Sequence, residues 1–420
     1  MKMDVQDLIK TAEKALAESG VFERIDETAL KNQKKVLDAF HRHRISDTHF
    51  NYATGYGYND KGRDALDLVW ADVFGSEAAF VRSNILSGTH AITIGLFGLL
   101  RPGDIMLSVA GRPYDTLTGA IGLKSGGDGG DIGSLADFGI RYAQIELRGN
   151  KLDLPAIGEY LRGSQGSQNQ RVKAVFVQKS KGYQDRATLS SCEIGELVKL
   201  VKGINSEIYV VVDNCYGEFT EEHEPGFYGA DMIIGSLIKN PGGGIAECGG
   251  YIAGTEKAVG LASHRYSSPL VGTEIGASLG ATRNMFKGLF FAPHVVAQSL
   301  KTACLAAHIY DSLGFEVSPK FNEPRFDIIQ AIKFGDGEKL IKFIQGIQAG
   351  SAIDAYALPE PDDMPGYDSK VIMASGSFTQ GSSIEISADA PLKPPYIAFM
   401  QGALTYESGK LCLMKALENI

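Results

Sequence analysis

The chain is read as an α/β protein with a large domain on a mostly parallel sheet and a smaller α+β domain at the C-terminal end. From residue 65 to about 255, helical stretches alternate with short apolar runs rich in β-branched residues, the pattern of strands joined and covered by helices. After residue 295 the texture shifts to strand-like runs interspersed with helix patterns. A chain of 420 residues with 44% hydrophobic content can also bury a full core and divide into more than one domain. The expected parts are an N-terminal helical arm over 1–50, a large domain over 51–295 and a small domain over 296–420.

The expected strands of the large domain are 105–109, 142–147, 174–177, 208–212, 232–234 and 251–253, with helices over 65–74 and up to Leu100. Most of these runs lead into loops carrying polar residues or glycine, and in α/β proteins such strand ends are where ligands bind. In the small domain the strand-like runs are 327–333, 370–374 and 384–387, and a helix pattern covers 396–417. The glycine-rich stretch Ser125–Gly133 reads as a surface loop rather than a phosphate cradle.

A net charge of −9 leaves no broad basic surface for nucleic acid. No stretch approaches the roughly 18 apolar residues of a membrane span. The first 18 residues mix charge with helical periodicity, unlike a secretion signal. Five scattered cysteines without a Cys-x-x-Cys pair suggest neither a disulfide framework nor a zinc site and are expected reduced and mostly buried. A cytoplasmic enzyme of small molecules, with no metal, fits best.

Four segments carry candidate chemistry. Lys239 follows the 232–234 strand in Ser236-Leu237-Ile238-Lys239-Asn240-Pro241-Gly242-Gly243-Gly244. The proline and glycines stop regular structure and are expected to bring the backbone close to a ligand, and Ser236 could offer a hydroxyl to a phosphate. Lys239 reads either as a solvated loop lysine or as an amine nucleophile toward an aldehyde. Asp213 ends the 208–212 strand, where it could pair with the ring nitrogen of a pyridoxal cofactor, form a turn, or ligate a metal. Ser87-Gly88-Thr89 opens a helix, whose free N–H groups and hydroxyls suit a phosphate, although a plain cap has the same sequence. Tyr114, in Arg112-Pro113-Tyr114-Asp115 after the 105–109 strand, could stack on a flat ring or sit in the core.

In this order the four segments resemble the cystathionine and methionine lyase branch of the pyridoxal-phosphate enzymes, which have the aspartate-aminotransferase-like fold. The resemblance implies that Ser87, Gly88 and Thr89 hold the phosphate and Tyr114 stacks on the ring. It further implies that Asp213 pairs with the pyridine nitrogen, Ser236 binds phosphate and Lys239 is the Schiff-base lysine. Ile238 departs from the family threonine. The runs Asp213-Asn214-Cys215-Tyr216-Gly217-Glu218-Phe219 and Ser387-Ala388-Asp389-Ala390-Pro391 are closer still to the aluminium-resistance, cystathionine β-lyase-like subgroup. Here Tyr56, Tyr58 and Arg63 would complete the phosphate site of a neighbouring subunit, implying a homodimer or homotetramer with shared sites. Where the resembled enzymes grip the substrate carboxylate with Arg-Leu-Ser, this chain reads Glu385-Ile386-Ser387. A carboxylate cannot hold a carboxylate, so Lys393 is the first candidate anchor, with Arg283 and Arg325 behind it.

The implied activity is carbon–sulfur bond cleavage in an amino acid by β- or γ-elimination. An aminotransferase and a catalytically weak cofactor-binding regulator remain alternatives. A nicotinamide dehydrogenase would need Gly-x-Gly-x-x-Gly after an early strand, and the first strands lack it.

Overall fold

The computed structural model describes residues 4–123, 132–164, 171–364, 367 and 369–420. Two helices begin it: α1 (Val5–Glu18) and α2 (Val21–Arg42). The larger part then runs α3 (Lys61–Phe74), β1 (Ala78–Arg82), α4 (Gly88–Leu99), β2 (Ile105–Ser108), α5 (Asp115–Ile121), β3 (Arg141–Gln144), α6 (Leu154–Gly163), β4 (Val172–Gln178), α7 (Ser191–Ile204), β5 (Tyr209–Asp213), β6 (Met232–Ser236), β7 (Gly250–Gly254) and α8 (Glu256–Tyr266). Beyond α9 (Thr282–Ser312) follow β8 (Glu316–Ser318), β9 (Gln330–Lys333), α10 (Gly337–Gly350), β10 (Val371–Ser375), β11 (Ser387–Pro391), β12 (Ile397–Gln401) and α11 (Tyr406–Asn419).

The strands of the larger part form one seven-stranded sheet in the order β1-β7-β6-β5-β4-β2-β3. The run from β6 to β3 is parallel. Alternate side chains of each central strand enter opposite cores, as a pleated strand requires: Val210 and Val212 join Trp70 and Phe74 on one face, while Val211 joins Ile92 and Leu96 on the other. Coverage on both faces explains why these strands read as continuous apolar runs.

The 251–253 run is a strand, but β7 is antiparallel to both neighbours. A parallel return needs a crossover, usually a helix, and the β6–β7 connection holds only a short 3-10 turn, Asn240–Gly242. The edge strand β1, paired to β7, was not anticipated, and β3 stops at Gln144, short of the expected 147. Residues 125–131 of the Ser125–Gly133 stretch lie outside the described residues.

The smaller part is a five-stranded antiparallel sheet, β10-β11-β12-β9-β8. Two expectations are corrected here. Residues 384–386 precede β11 in a turn, because the Glu385 carboxylate accepts the Phe378 and Thr379 N–H groups (2.6 and 3.0 Å) and closes the loop. The 396–417 pattern divides into β12 and α11 at Gly402, whose φ of 86° favours a residue without Cβ.

The N-terminal helices serve both cores. Ile9, Ala12 and Leu16 of α1 pack with the C-terminal sheet, and Val36 and Ala39 of α2 with the large core. Helix α9 runs unbroken through residue 295, giving Met285 to Leu300 to the large core and Cys304 to Tyr310 to the small one. Among the described residues no helix is long and apolar enough to cross a membrane.

Candidate active site

The C-terminal ends of β2, β4, β5 and β6 open on one cavity of about 470 Å³, as strand ends of a parallel sheet do. Ser87, Gly88, Thr89, Tyr114, Asp213, Ser236 and Lys239, expected from separate segments, all line it.

Helix α4 aims its N-terminus at the cavity. Ser87 is its N-cap, with an extended backbone and a side-chain oxygen that accepts the His90 N–H at 3.1 Å. The N–H groups of Gly88 and Thr89, in the first turn, have no carbonyl within the helix to bond and are left to a ligand. A Cβ on Gly88 would stand 3.2 Å from Cys215 Sγ and 3.6 Å from Ser236 Cβ, so glycine keeps this end clear. The Thr89 hydroxyl is hydrogen-bonded to Tyr114 Oη at 2.9 Å, which fixes the tyrosine and engages the hydroxyl expected for a phosphate. The Tyr114 N–H donates to Gln178 Oε1 at 3.0 Å, anchoring the turn to β4.

Asp213 ends β5 buried, its Oδ1 accepting the Cys215 N–H at 3.1 Å. Lys239 is half-buried with its Nζ 4.0 Å from the centre of the Tyr216 ring. Asn240 Nδ2 donates to the Tyr216 and Glu218 carbonyls (both 2.9 Å) and ties the lysine loop to the aspartate loop. Burial pushes the Asp213 carboxyl up, and Lys239 opposes this. Burial alone would push the Lys239 amine down, but Cys215, Tyr216, Asp213 and Tyr114 carry it well above the lysine value. The Cys215 thiol and the two tyrosines are themselves pushed up by burial, and Asp213 is the carboxylate among the four.

Behind Asp213 lies a buried polar layer. Tyr251 Oη donates to Glu218 Oε1 at 2.9 Å, and Asn214 Nδ2 donates to Glu224 Oε2 at 2.9 Å. Burial pushes the Glu218 carboxyl up to about 8. The glycines after Lys239 serve packing: Cβ atoms on Gly242 and Gly243 would lie 1.6 Å from the Leu237 carbonyl oxygen and 2.6 Å from that of Gly288. Their close approach is to the protein's own backbone, a correction to the ligand approach expected of them.

Other expected site residues lie elsewhere. Arg63 is buried and donates to the Gly57 and Gly276 carbonyls (2.9 and 3.3 Å) and to Asp64 (2.8 Å), outside the cavity of its own chain. Tyr56 and Tyr58 stand exposed beside each other, ring centres 5.6 Å apart. Arg283 is exposed, 3.6 Å from Asp47 and over the Phe50 ring. Arg325 is buried against Gln330 Oε1 at 2.6 Å. Neither arginine lines the cavity, whereas Lys393 does. The cysteines are free; Cys215, Cys304 and Cys412 are buried, and Cys192 and Cys248 exposed. Gln178, Tyr183, Tyr216 and Tyr367 line the cavity without having been singled out for it. Gln178 ends β4 and Tyr183 follows it, and the strand-end rule applied to the 174–177 run would have found them.

The chain matches the methionine gamma-lyase family over residues 5–420. It is 47% identical over 415 residues to the uncharacterized protein YnbB of Bacillus subtilis (strain 168), covering 98% of this chain and 96% of that one. A carbon–sulfur lyase involved in aluminium resistance from Clostridium novyi NT is 46% identical, with 98% of this chain and 95% of that chain covered and a TM-score of 0.92. A Clostridium acetobutylicum protein, provisionally a cystathionine beta-lyase involved in aluminium resistance, is 46% identical with a TM-score of 0.94 and covers 99% of this chain and 95% of its own. The apo methionine gamma lyase CalE6 of Micromonospora echinospora shares the fold, at 15% identity, a TM-score of 0.56 and coverage of 89% and 93%. By its full-length family match and these relatives, the chain belongs to the methionine gamma-lyase family.

Proposed function

We propose that this chain is a pyridoxal-phosphate-dependent enzyme that cleaves a carbon–sulfur bond of an amino acid. The observation that carries the reading is that Lys239 and Asp213 line one cavity, which also holds the α4 N-terminus. The residues fit the cofactor. Ser236 Oγ is buried and without a hydrogen-bond partner among the described residues, and with the Gly88 and Thr89 N–H groups it suits a phosphate. Asp213 suits the ring nitrogen and Tyr114 the ring face.

When bound, the cofactor supplies an electron sink for negative charge at the substrate Cα. Lys239 would hold it covalently and would serve as the general base at the substrate Cα proton. Asp213 keeps the ring nitrogen protonated, and the Asn214–Glu224 and Tyr251–Glu218 hydrogen bonds brace its loop from behind. Loss of a thiolate from the substrate and addition of water would yield a thiol, a 2-oxo acid and ammonia. The lyase likeness supports elimination, and release of ammonia separates it from transamination.

A second copy of the chain would complete the site. The segment bearing Tyr56 hydrogen-bonds to 276–279 (Gly276 N–H to the Tyr56 carbonyl, 2.9 Å), so exposed Tyr52, Tyr56, Tyr58 and Leu279 share one apolar face. That face supports a homodimer.

The test is borohydride reduction of the purified protein followed by peptide mapping. The pyridoxyl label is expected on Lys239, and Lys239→Ala should lose both label and thiol release, the latter by a factor on the order of 10² to 10⁴. A label on another lysine overturns the reading.

A further inference from the structure

We infer that Arg112 is the residue that grips the substrate carboxylate, an inference that rests on the amino-acid reading of the cavity. The acid at the position of the resembled arginine, Glu385, is buried and holds the Phe378 and Thr379 N–H groups, so it neither reaches the cavity nor leaves an anion unmet there. Among the described residues the cations lining the cavity are Arg112, Lys239 and Lys393. Lys239 is taken by the chemistry.

Arg63, Arg186, Arg283 and Arg325 do not line the cavity. Arg63 is held by Asp64 and two carbonyls, Arg283 by Asp47 and Phe50, and Arg325 through Nη2 by Gln330, its buried Nε and Nη1 having no partner among the described residues. Arg186, near Asp213, donates to Gln184 Oε1 and to the Ala187, Gln178 and Ser180 carbonyls. The Arg112 guanidinium makes no hydrogen bond or ion pair among the described residues.

The guanidinium has no partner among the described residues, but its backbone is fixed. The Gln184 amide donates to the Arg112 carbonyl at 2.7 Å, and the Gly111 N–H to the Ile145 carbonyl at 3.0 Å. Two residues on, Tyr114 is pinned to Gln178 and Thr89. Arg112 therefore springs from the same rigid turn that presents Tyr114. A guanidinium also offers two parallel donors to a carboxylate, where Lys393 offers a point charge.

The test uses the cofactor-loaded protein, with Lys239 labelling by borohydride run on every variant. Calorimetric titration with L-methionine and with L-methioninamide reads recognition of the carboxylate separately from turnover. Wild type is expected to prefer the acid. Arg112→Ala should lose at least tenfold in affinity for the acid and little for the amide, and Arg112→Lys should recover part of the preference. If Arg112→Ala keeps the wild-type preference while its Lys239 still takes the label, the inference fails and the cofactor reading stands. It fails equally if Lys393→Ala abolishes the preference and Arg112→Ala does not, or if Arg112→Ala changes only the association state. A wild-type protein that takes no label on Lys239 removes the amino-acid reading itself.

Discussion

The two ends of the cavity are built differently. At the inner end Asp213 and Ser236 are buried, Gly88 leaves no spare room, and a layer of Glu218, Tyr251, Asn214 and Glu224 backs the aspartate. At the outer end Arg112 and Lys393 are exposed, and Tyr183 and Tyr367 are half-buried. Asp213 and Ser236 end strands and Gly88 starts a helix, so their directions are set by the backbone. The outer end draws long side chains from the β2 loop, from the loop after β4 and from the loop after β11. The difference teaches that the fold itself commits the inner end to one chemistry, whereas the outer end can be altered by substituting single exposed side chains.

Asp213→Asn tests the rigid end most severely. A neutral amide of the same shape keeps the Cys215 N–H contact through its oxygen but cannot hold a ring nitrogen protonated. Thiol release should fall by a factor on the order of 100 or more, the scale of one preorganised electrostatic partner, with the borohydride label on Lys239 retained. Turnover near wild type would show that the inner end does not depend on that charge.

Whether the inner end belongs to one chain or two is the next question. Arg63 lies outside its own cavity and Tyr58 is exposed. If they serve a partner, Arg63→Ala and Lys239→Ala damage different sites of a mixed dimer. Co-expression with random pairing should restore roughly a quarter of wild-type activity, since half the dimers would carry one intact site of two. Mixed dimers that stay inactive, with both parents dimeric, would place Arg63 in a purely structural role.

The inner end was legible in the sequence because its residues sit in short local patterns: an apolar strand closing on Asp213, a capped helix opening at Ser87, a lysine followed by proline and glycines. The outer end was not. Arg112 belongs to a short segment whose pattern gives it no role, Tyr367 lies in no strand or helix, and no periodicity brings 112, 183 and 393 together. Physical proximity without local pattern also explains Arg283 and Arg325, which were named for their charge and which the fold engages elsewhere. In the fold, strand identities were legible from apolar runs, but the direction of β7 depended on the absence of a crossover helix.

The smallest expected effect concerns Ser236, and its sign changes with loading. Its hydroxyl is buried and has no partner among the described residues, and such a group costs about 1–3 kcal/mol relative to a satisfied one. Removing it leaves only a small void, so apo Ser236→Ala should be as stable as wild type or more stable, by up to about 1 kcal/mol. With the cofactor bound the hydroxyl gains a phosphate acceptor, and a hydrogen bond to a charged group contributes about 1.5–3 kcal/mol. The loaded variant should then be the less stable one, with cofactor affinity reduced roughly tenfold or more. Thermal melts of wild type and Ser236→Ala, each stripped of and saturated with pyridoxal phosphate, give the four values needed. A crossing of the two orders places the phosphate at Ser236. A variant less stable than wild type by the same margin in both states would mean that Ser236 serves packing alone, and that the phosphate rests on the α4 N-terminus without it.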